Sequence, residues 1–233
     1  PDLQESFAVG PMGQQPVKPG ENMVVAGFHA ANIWPERPAA FEPTVKAYYE
    51  AMGGLAGTIM EIFAMALGVD GKFFANKIDR HPSVLRLTHY PAQPEPPAPG
   101  QLRSGEHTDY GSLTILRGDD VPGGLQVQRR DGTWIDVHPA PDTFICNLGD
   151  LMMRWTGDHW KSTPHRVVNP PSEYATLDRI SLVFFHMPNA DAEIRCIDDT
   201  RRAYPPITCA DYFAEKYLRS EVQQLDIDTT TAT

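Results

Sequence analysis

Between residues 84 and 197 the chain is a succession of short apolar segments, separated by Gly, Pro, Asp and Asn. These four residue types favour turns, and a short apolar segment between two turns is typical of a β-strand. The predicted strands are Val84–Tyr90, Ser112–Leu116, Leu125–Gln128, Trp134–Val137, Thr143–Asn147, His165–Val168, Arg179–His186 and Glu193–Ile197. Many short strands at this spacing indicate a sandwich or a barrel, and we expect a jelly roll.

A long amphipathic helix is predicted before these strands. From Pro43 to Leu67 apolar residues recur at steps of three and four, which is the spacing of one helix face. Proline suits the first turn of a helix, and Gly68 suits its end. The predicted apolar face consists of Phe41, Val45, Tyr48, Met52, Leu55, Ile59, Ile62, Phe63 and Leu67. Residues 1–40 are rich in Gly and Pro and predict a loop with little regular structure.

The end of the chain predicts a shorter helix followed by a tail. Thr208 and Asp211 have the spacing of a capping box, so a last helix is expected to run from there to Leu218. Residues Leu225–Thr233 are mostly polar and predict a frayed tail. The proline-rich run 91–99 is stiff, and we interpret it as a rigid loop at the mouth of the barrel rather than as an interdomain linker.

Composition and charge argue against several classes of protein. The formal net charge of −10 argues against nucleic acid or an anionic membrane as a partner, because phosphate groups bind to basic surfaces. The longest apolar stretch, Ile62–Val69, is too short to span a bilayer, and no leader is predicted. Widely spaced cysteines favour a reducing, cytoplasmic compartment. The length suits a single domain, and the pattern specifies no oligomeric state.

Two histidines and one aspartate form the strongest candidate for a metal site. His107 and Asp109 are two positions apart, so they point the same way in a strand. His165 is expected to arrive from a strand on the other side of the barrel. This ligand set holds Fe(II) on one side and leaves positions open for a cosubstrate and dioxygen. Zinc accepts the same ligands, and a single histidine is more often a surface or core residue than a ligand.

A candidate anchor for a cosubstrate follows further along the chain. Arg179 and Ser181 are again two positions apart, so both can face the barrel interior. A guanidinium binds a carboxylate through two hydrogen bonds, and a neighbouring hydroxyl can donate a third. The alternative is a solvent-facing Arg179 that pairs with Asp178 or Glu173.

These residues belong to a longer series of motifs with a fixed order. The series is Glu5-Ser6-Phe7 with Gly10, Tyr90-Pro91, His107-Thr108-Asp109-Tyr110-Gly111, Gly123-Gly124-Leu125-Gln126-Val127, Asn147-Leu148-Gly149-Asp150, His165-Arg166-Val167 and Arg179-Ile180-Ser181. In order and approximate spacing, the series resembles the isopenicillin N synthase-like branch of the Fe(II)/2-oxoglutarate-dependent dioxygenases.

The resemblance implies a fold and a set of site residues. The fold is mainly β with flanking helices: a distorted double-stranded β-helix, or cupin-like jelly roll, with the long helix packed outside and a C-terminal helix. The implied iron ligands are His107, Asp109 and His165. The implied partners of the distal carboxylate of 2-oxoglutarate are Arg179, Ser181 and Tyr90. Phe185 and Leu125 are implied contacts in the substrate pocket.

The resemblance also suggests how the chain is divided. We expect one dioxygenase domain over 1–233, with an N-terminal loop and long support helix in 1–80. The jelly-roll core would occupy 81–197, and the C-terminal helix and tail 198–233. Relatives usually carry several strands and a helix before the Glu-Ser-Phe stretch, so the chain is expected to lack that first section.

The function implied is an oxygenase that uses Fe(II), 2-oxoglutarate and O2. It would hydroxylate, desaturate or cyclise a small organic molecule, with release of succinate and CO2. One alternative is an Fe(II) oxidase of the same branch that uses no 2-oxoglutarate and binds the carboxylate of its substrate at Arg179 and Ser181. More distant alternatives are a zinc metallohydrolase and a catalytically silent jelly-roll binding module.

Overall fold

The computed structural model describes residues 2–13, 27, 30–93, 95–121, 124–198, 200–201 and 204–218. Its helices are α1 (Phe41–Ala66), α2 (Ala75–Ile78), α3 (Asp150–Trp155) and α4 (residues 209–218). Its strands are β1 (Glu5–Val9), β2 (Val84–Tyr90), β3 (Ser104–His107), β4 (Leu113–Gly118), β5 (Leu125–Gln128), β6 (Trp134–Asp136), β7 (Ile145–Leu148), β8 (His165–Val167), β9 (Arg179–His186), β10 (Glu193–Ile194) and β11 (Ile207–Thr208). The motif residue Gly123 and the predicted tail Leu225–Thr233 lie outside the described residues.

The strands form two main antiparallel sheets. The five-stranded sheet has the order β1-β2-β9-β4-β7, and the four-stranded sheet has the order β3-β8-β5-β6. Strands β10 and β11 make a separate pair. Residues of both main sheets line one cavity, so the candidate site lies between the sheets. The division of the chain into 1–80, 81–197 and 198–233 stays a prediction.

The loop prediction for residues 1–40 is wrong at Glu5–Val9. This segment is an edge strand that pairs with β2 from Glu5 opposite His89 to Val9 opposite Leu85. Val9 is buried in the core beneath α1. The segment forms a strand because its backbone is hydrogen-bonded to another strand about 80 positions away, and local composition does not encode such a partner.

Helix α1 packs on the outer face of the five-stranded sheet, as predicted. Its buried face consists of Val45, Tyr49, Met52, Ala56, Met60 and Ala64. These residues belong to two core clusters, one of which includes Leu85, Ile115 and Phe184 of the sheet. The predicted stripe is therefore partly wrong, since Ile62 is 51% exposed whereas Ala56 and Ala64 are buried. Ala56 packs in the cluster with the sheet and Ala64 in the cluster with Trp155 of α3, and small residues at both positions allow a close approach of the helix.

Helix α4 begins at the predicted cap. The Thr208 hydroxyl donates to Asp211 Oδ2 at 2.7 Å, and the Asp211 N–H donates to the Thr208 hydroxyl at 3.1 Å. Helix α4 contacts the first residue of α3: the Tyr212 hydroxyl donates to the buried Asp150 carboxylate, and Lys216 forms an ion pair with it. Among the helices described, none combines the length and apolar character needed to cross a bilayer.

A buried histidine of β9 makes the stability of the fold depend on pH. Burial, together with the neighbouring His81, lowers the pKa of His186 to about 3. An unfolded histidine has a pKa of about 6.5. Between these two values the unfolded chain binds a proton that the native chain does not. The free energy of unfolding is therefore expected to fall as the pH decreases, by up to about 1.4 kcal/mol per pH unit.

Urea unfolding at several pH values between about 7 and 4 measures this slope. The His186→Gln variant lacks the titrating group, so its unfolding free energy is expected to fall less steeply than that of the wild type. Comparing slopes separates this effect from any constant loss of stability. Equal slopes in the two proteins would contradict the prediction.

Candidate active site

The two histidines and the aspartate of the predicted metal site come together in the lining of the cavity between the two main sheets. His107 ends β3, and it pairs directly with His165 at the start of β8. One ligand atom from each of these residues and from Asp109 lies within 4.8 Å of the others. Asp109 Oδ1 is 3.9 Å from His107 Nε2 and 3.7 Å from His165 Nε2. The clustering confirms that the predicted residues meet.

Two geometric details of the prediction are wrong. His165 does not arrive from the far side of the barrel, since β8 is the hydrogen-bonded neighbour of β3. Asp109 is not in a strand, because β3 ends at His107 and the aspartate lies in the following loop. The three side chains converge because β3 pairs with β8 and the start of α3 holds the loop that carries Asp109, an arrangement that strand periodicity alone does not predict.

The backbone fixes the orientation of both imidazoles. His107 Nδ1 is 2.8 Å from the carbonyl oxygen of Gly105, and His165 Nδ1 is 3.1 Å from that of Thr163. A carbonyl can only accept, so each Nδ1 carries the proton and donates it. Each Nε2 then offers a lone pair, and these are the nitrogen atoms that face Asp109.

The Asp109 carboxylate is held by two side chains that sequence reasoning did not assign. The Thr114 hydroxyl donates to Oδ2 at 2.6 Å, and the Asn147 amide donates to the same oxygen at 2.5 Å. The remaining oxygen, Oδ1, is the one that lies near the histidines. A carboxylate only 4% exposed beside two imidazole lone pairs fits a divalent cation such as Fe(II).

The start of α3 holds the loop that carries Asp109. The N–H groups of Gly149, Asp150 and Leu151 donate to the carbonyl oxygens of Ser112, Asp109 and Gly111, at 3.1, 2.8 and 3.0 Å. The two backbones meet so closely that a Cβ on Gly149 would lie 2.2 Å from the Gly111 oxygen. This contact gives a physical reason for glycine at 149, and Gly111 has a separate one, since a Cβ there would lie 2.3 Å from the His186 oxygen.

The predicted carboxylate anchor is assembled on two paired strands. Arg179 and Ser181 of β9 lie opposite Tyr90 and Thr88 of β2. Arg179 is 6% exposed and Ser181 is 1% exposed, so the alternative of a solvent-facing Arg179 is wrong. Within the described part of the chain, Arg179 Nη1 and Ser181 Oγ have no hydrogen-bond partner. Buried donors without acceptors are costly, which fits the binding of an anion.

A second buried arginine, not predicted, lies against the same tyrosine. The Cζ atom of Arg103 is 5.7 Å from the centre of the Tyr90 ring, and that of Arg179 is 5.0 Å from it. Arg103 is 1% exposed, and its Nη2 donates to the Pro91 carbonyl at 3.1 Å. Burial, followed by the positive charge of Arg179, lowers the pKa of Arg103. Two buried guanidinium groups make this end of the sheet strongly attractive to an anion.

The cavity between the sheets has a volume of about 330 Å³ and contains all three candidate ligands. Tyr90 lines it too and contacts Arg179, which itself lines an adjoining cavity of about 250 Å³ that shares Leu116, Leu125 and Ile145 with this one. Phe185 and Leu125 also line the cavity between the sheets, so both predicted pocket residues are in reach of a molecule bound there, although their role stays a prediction. A larger and more open cleft of about 790 Å³ lies beside this cavity and contains none of the three ligands.

Comparisons with known proteins agree with this geometry. The sequence model of the 2OG-Fe(II) oxygenase superfamily matches residues 81–188. The 2-oxoglutarate-Fe(II) type oxidoreductase hxnY of Emericella nidulans is 35% identical over 81% of this chain and 56% of its own length. A homoarginine-6-hydroxylase of Oryza sativa subsp. japonica is 31% identical over 95% of this chain and 68% of its own length.

A solved structure shows the same architecture. The crystal structure of a full-length Neurospora crassa protein in complex with alpha-KG and thymine matches with a TM-score of 0.81 and 34% identity, over 94% of this chain and 66% of that one. The chain thus spans about half to two thirds of the length of these relatives. The likeness confirms the predicted double-stranded β-helix, and together these matches establish that the chain belongs to the 2OG-Fe(II) oxygenase superfamily.

Proposed function

We propose that this chain is the catalytic part of an Fe(II)- and 2-oxoglutarate-dependent oxygenase that hydroxylates, desaturates or cyclises a small organic molecule, with release of succinate and CO2. The observation that carries the proposal is a pair of buried donors, on Arg179 and Ser181, that have no hydrogen-bond partner among the described residues. Arg179 contacts the ring of Tyr90, and Ser181 lies opposite Thr88, two positions from Tyr90 on the paired strand. Tyr90 in turn lines the same cavity as the three candidate metal ligands.

In this proposal His107, Asp109 and His165 hold Fe(II), and Thr114 and Asn147 keep the carboxylate turned toward the metal. Bound iron would supply the dioxygen chemistry that couples decarboxylation of 2-oxoglutarate to oxidation of the substrate. Arg179 and Ser181 bind the distal carboxylate of 2-oxoglutarate, with Tyr90 as their neighbour. The walls of the cavity exclude water and orient the substrate.

The substrate in this proposal is a small organic molecule that reaches the 330 Å³ cavity. The Neurospora crassa structure, solved with alpha-KG and thymine, supports both the cosubstrate and the size of the substrate. The acidic net charge of −10 and the absence of paired cysteine motifs favour a cytoplasmic enzyme that binds neither nucleic acid nor membrane.

Dioxygen-dependent formation of succinate from 2-oxoglutarate tests the proposal. Succinate is expected only when Fe(II), 2-oxoglutarate and O2 are all present, and a substrate is expected to accelerate its formation. The alternative oxidase would consume O2 and form no succinate. A protein that forms no succinate with any of a broad panel of small molecules, while it binds Fe(II), would overturn the proposal.

Replacement of Arg179 by glutamine is expected to raise the KM for 2-oxoglutarate by about 100-fold, because two charge-assisted hydrogen bonds are lost. Steady-state succinate formation at varied 2-oxoglutarate concentration measures this effect. The Arg195→Gln variant is the control, since Arg195 is exposed and pairs with Glu193. An unchanged KM in the Arg179 variant would contradict the assignment of the anchor.

A further inference from the structure

A third arginine, Arg86, faces the cavity from the far end of β2. Along this strand Arg86, Thr88 and Tyr90 all line the cavity, as expected for alternate residues of one strand. Arg86 pairs with Val183 of β9 and with Ala8 of β1. Four positions along a strand correspond to about 13 Å. Arg86 is therefore well separated from the carboxylate anchor but belongs to the same wall.

The guanidinium of Arg86 has no acidic partner in the described residues. Its Cζ atom lies 5.3 Å from the centre of the Phe185 ring, and within the described part of the chain this is its one side-chain interaction. Other arginines of the chain form ion pairs: Arg80 with Asp191, Arg117 with Asp142, Arg195 with Glu193 and Arg201 with Asp198. Arg86 is itself exposed, and it brings to the wall of the site cavity a cation that has no acidic partner among the described residues.

A charge balance of the loaded site leaves Arg86 uncompensated. The two positive charges of Fe(II) and the one of Arg179 equal the negative charges of Asp109 and of the 2-oxoglutarate dianion, while the further positive charge of Arg103 lies at the anchor, outside the cavity lining. The other cation of the lining, Lys161, lies 3.9 Å from Asp158. The cavity thus keeps one free positive charge beside an aromatic ring after metal and cosubstrate are bound. A carboxylate can bind such a guanidinium through two parallel hydrogen bonds.

We propose that Arg86 binds a carboxylate of the substrate, so that the enzyme acts on small carboxylic acids. This inference rests on the proposed function. Phe185 lies beside Arg86 and provides an apolar surface for the body of the acid. The acid is held at the Arg86 end of the cavity, and its other end extends toward the candidate metal ligands.

The test compares acids with their amides in the holoenzyme. Small aliphatic, aromatic and heteroaromatic carboxylates, among them phenylacetate and 3-phenylpropionate, are each paired with the primary amide, which has a similar shape and no charge. Binding to the enzyme with Fe(II) and 2-oxoglutarate is measured by calorimetry under nitrogen, and turnover is measured as succinate release in air. The variants are Arg86→Gln, Arg86→Lys and the control Arg195→Gln.

The wild type is expected to bind the best acid about 10- to 100-fold more tightly than its amide. Arg86→Gln is expected to remove this preference and to leave the KM for 2-oxoglutarate unchanged. Arg86→Lys is expected to restore part of the preference, because it keeps the charge, and Arg195→Gln is expected to behave as the wild type. Rescue by lysine would not occur if Arg86 only supported the fold.

Three results would overturn the inference: no acid in the panel binds, acids and amides bind alike, or Arg86→Gln keeps the preference. The failure of the proposed function is separate. A wild type that forms no succinate from 2-oxoglutarate refutes the oxygenase, whereas a wild type that forms succinate without a preference for acids refutes only the role of Arg86.

Discussion

Replacement of Asp109 by alanine is expected to abolish Fe(II) binding and to lower the formation of succinate by roughly a thousandfold or more. Loss of a residue that only supports a metal ligand typically costs 10- to 100-fold, so loss of a ligand costs more. The two imidazoles that remain cannot neutralise a divalent cation. Asp109 supplies the one carboxylate of the three-residue cluster that the structure describes, so no second carboxylate in that cluster can replace it. Metal content after anaerobic reconstitution and succinate release measure the two effects.

The Asp109 variant is expected to remain folded. Its carboxylate is buried beside two imidazoles, so without metal its removal costs little more than the hydrogen bonds from Thr114 and Asn147. Thermal unfolding checks this point. Glu50→Ala, at an exposed position of α1, is the control for a lost carboxylate and should retain both metal and activity. A folded Asp109→Ala protein with full metal content would refute the ligand assignment.

Replacement of Gly149 by alanine is expected to destabilise the protein by about 3 kcal/mol or more, which is the upper range for overpacking. The new Cβ would lie 2.2 Å from the oxygen, 2.7 Å from the carbonyl carbon and 3.0 Å from the nitrogen of Gly111. All three are backbone atoms, so no side-chain rotation relieves the clash. The α3 start must move away from the loop, and the hydrogen bond from Asp150 N–H to the Asp109 carbonyl lengthens or breaks.

A weaker affinity for Fe(II) is therefore expected together with the loss of stability. Urea unfolding and metal titration measure these two quantities. Gly54→Ala is the matched control: Gly54 lies in α1, and its Cβ would meet nothing within 4 Å. That change is expected to stabilise the protein by up to about 1 kcal/mol. A Gly149→Ala protein as stable as the wild type would show that the contact with Gly111 is not tight in solution.

Features that depend on local periodicity could be predicted from the sequence. Alternation along a strand correctly predicted that Arg179 and Ser181 are buried while Ile180 between them is exposed, and that Phe185 faces the cavity. The capping residues Thr208 and Asp211 correctly predicted the start of α4. The predicted bounds of β2 and β9 agree with the structure, because long apolar strands bounded by turn residues leave little ambiguity.

Features that depend on which segments become neighbours could not be predicted in this way. The edge strand β1 needs a partner far along the chain, and its own composition resembles that of a loop. Arg103 stands in a polar stretch of sequence, and only the folded chain buries it against Tyr90. The buried face of α1 is offset from the predicted stripe, because Ala56 and Ala64 pack into the two core clusters, where a pattern of large apolar residues does not include them.

The sequence by itself determined the chemical types of the site: two imidazoles, one carboxylate, and an arginine with a serine two positions later. These follow from residue identity and from the alternation of side chains along a strand. Only the tertiary structure decided that β3 and β8 are neighbours and that Thr114 and Asn147 hold Asp109. It also decided that Arg86 faces the same cavity without an acidic partner among the described residues. The reason is that strand pairing and burial depend on contacts between distant segments, which no local pattern specifies.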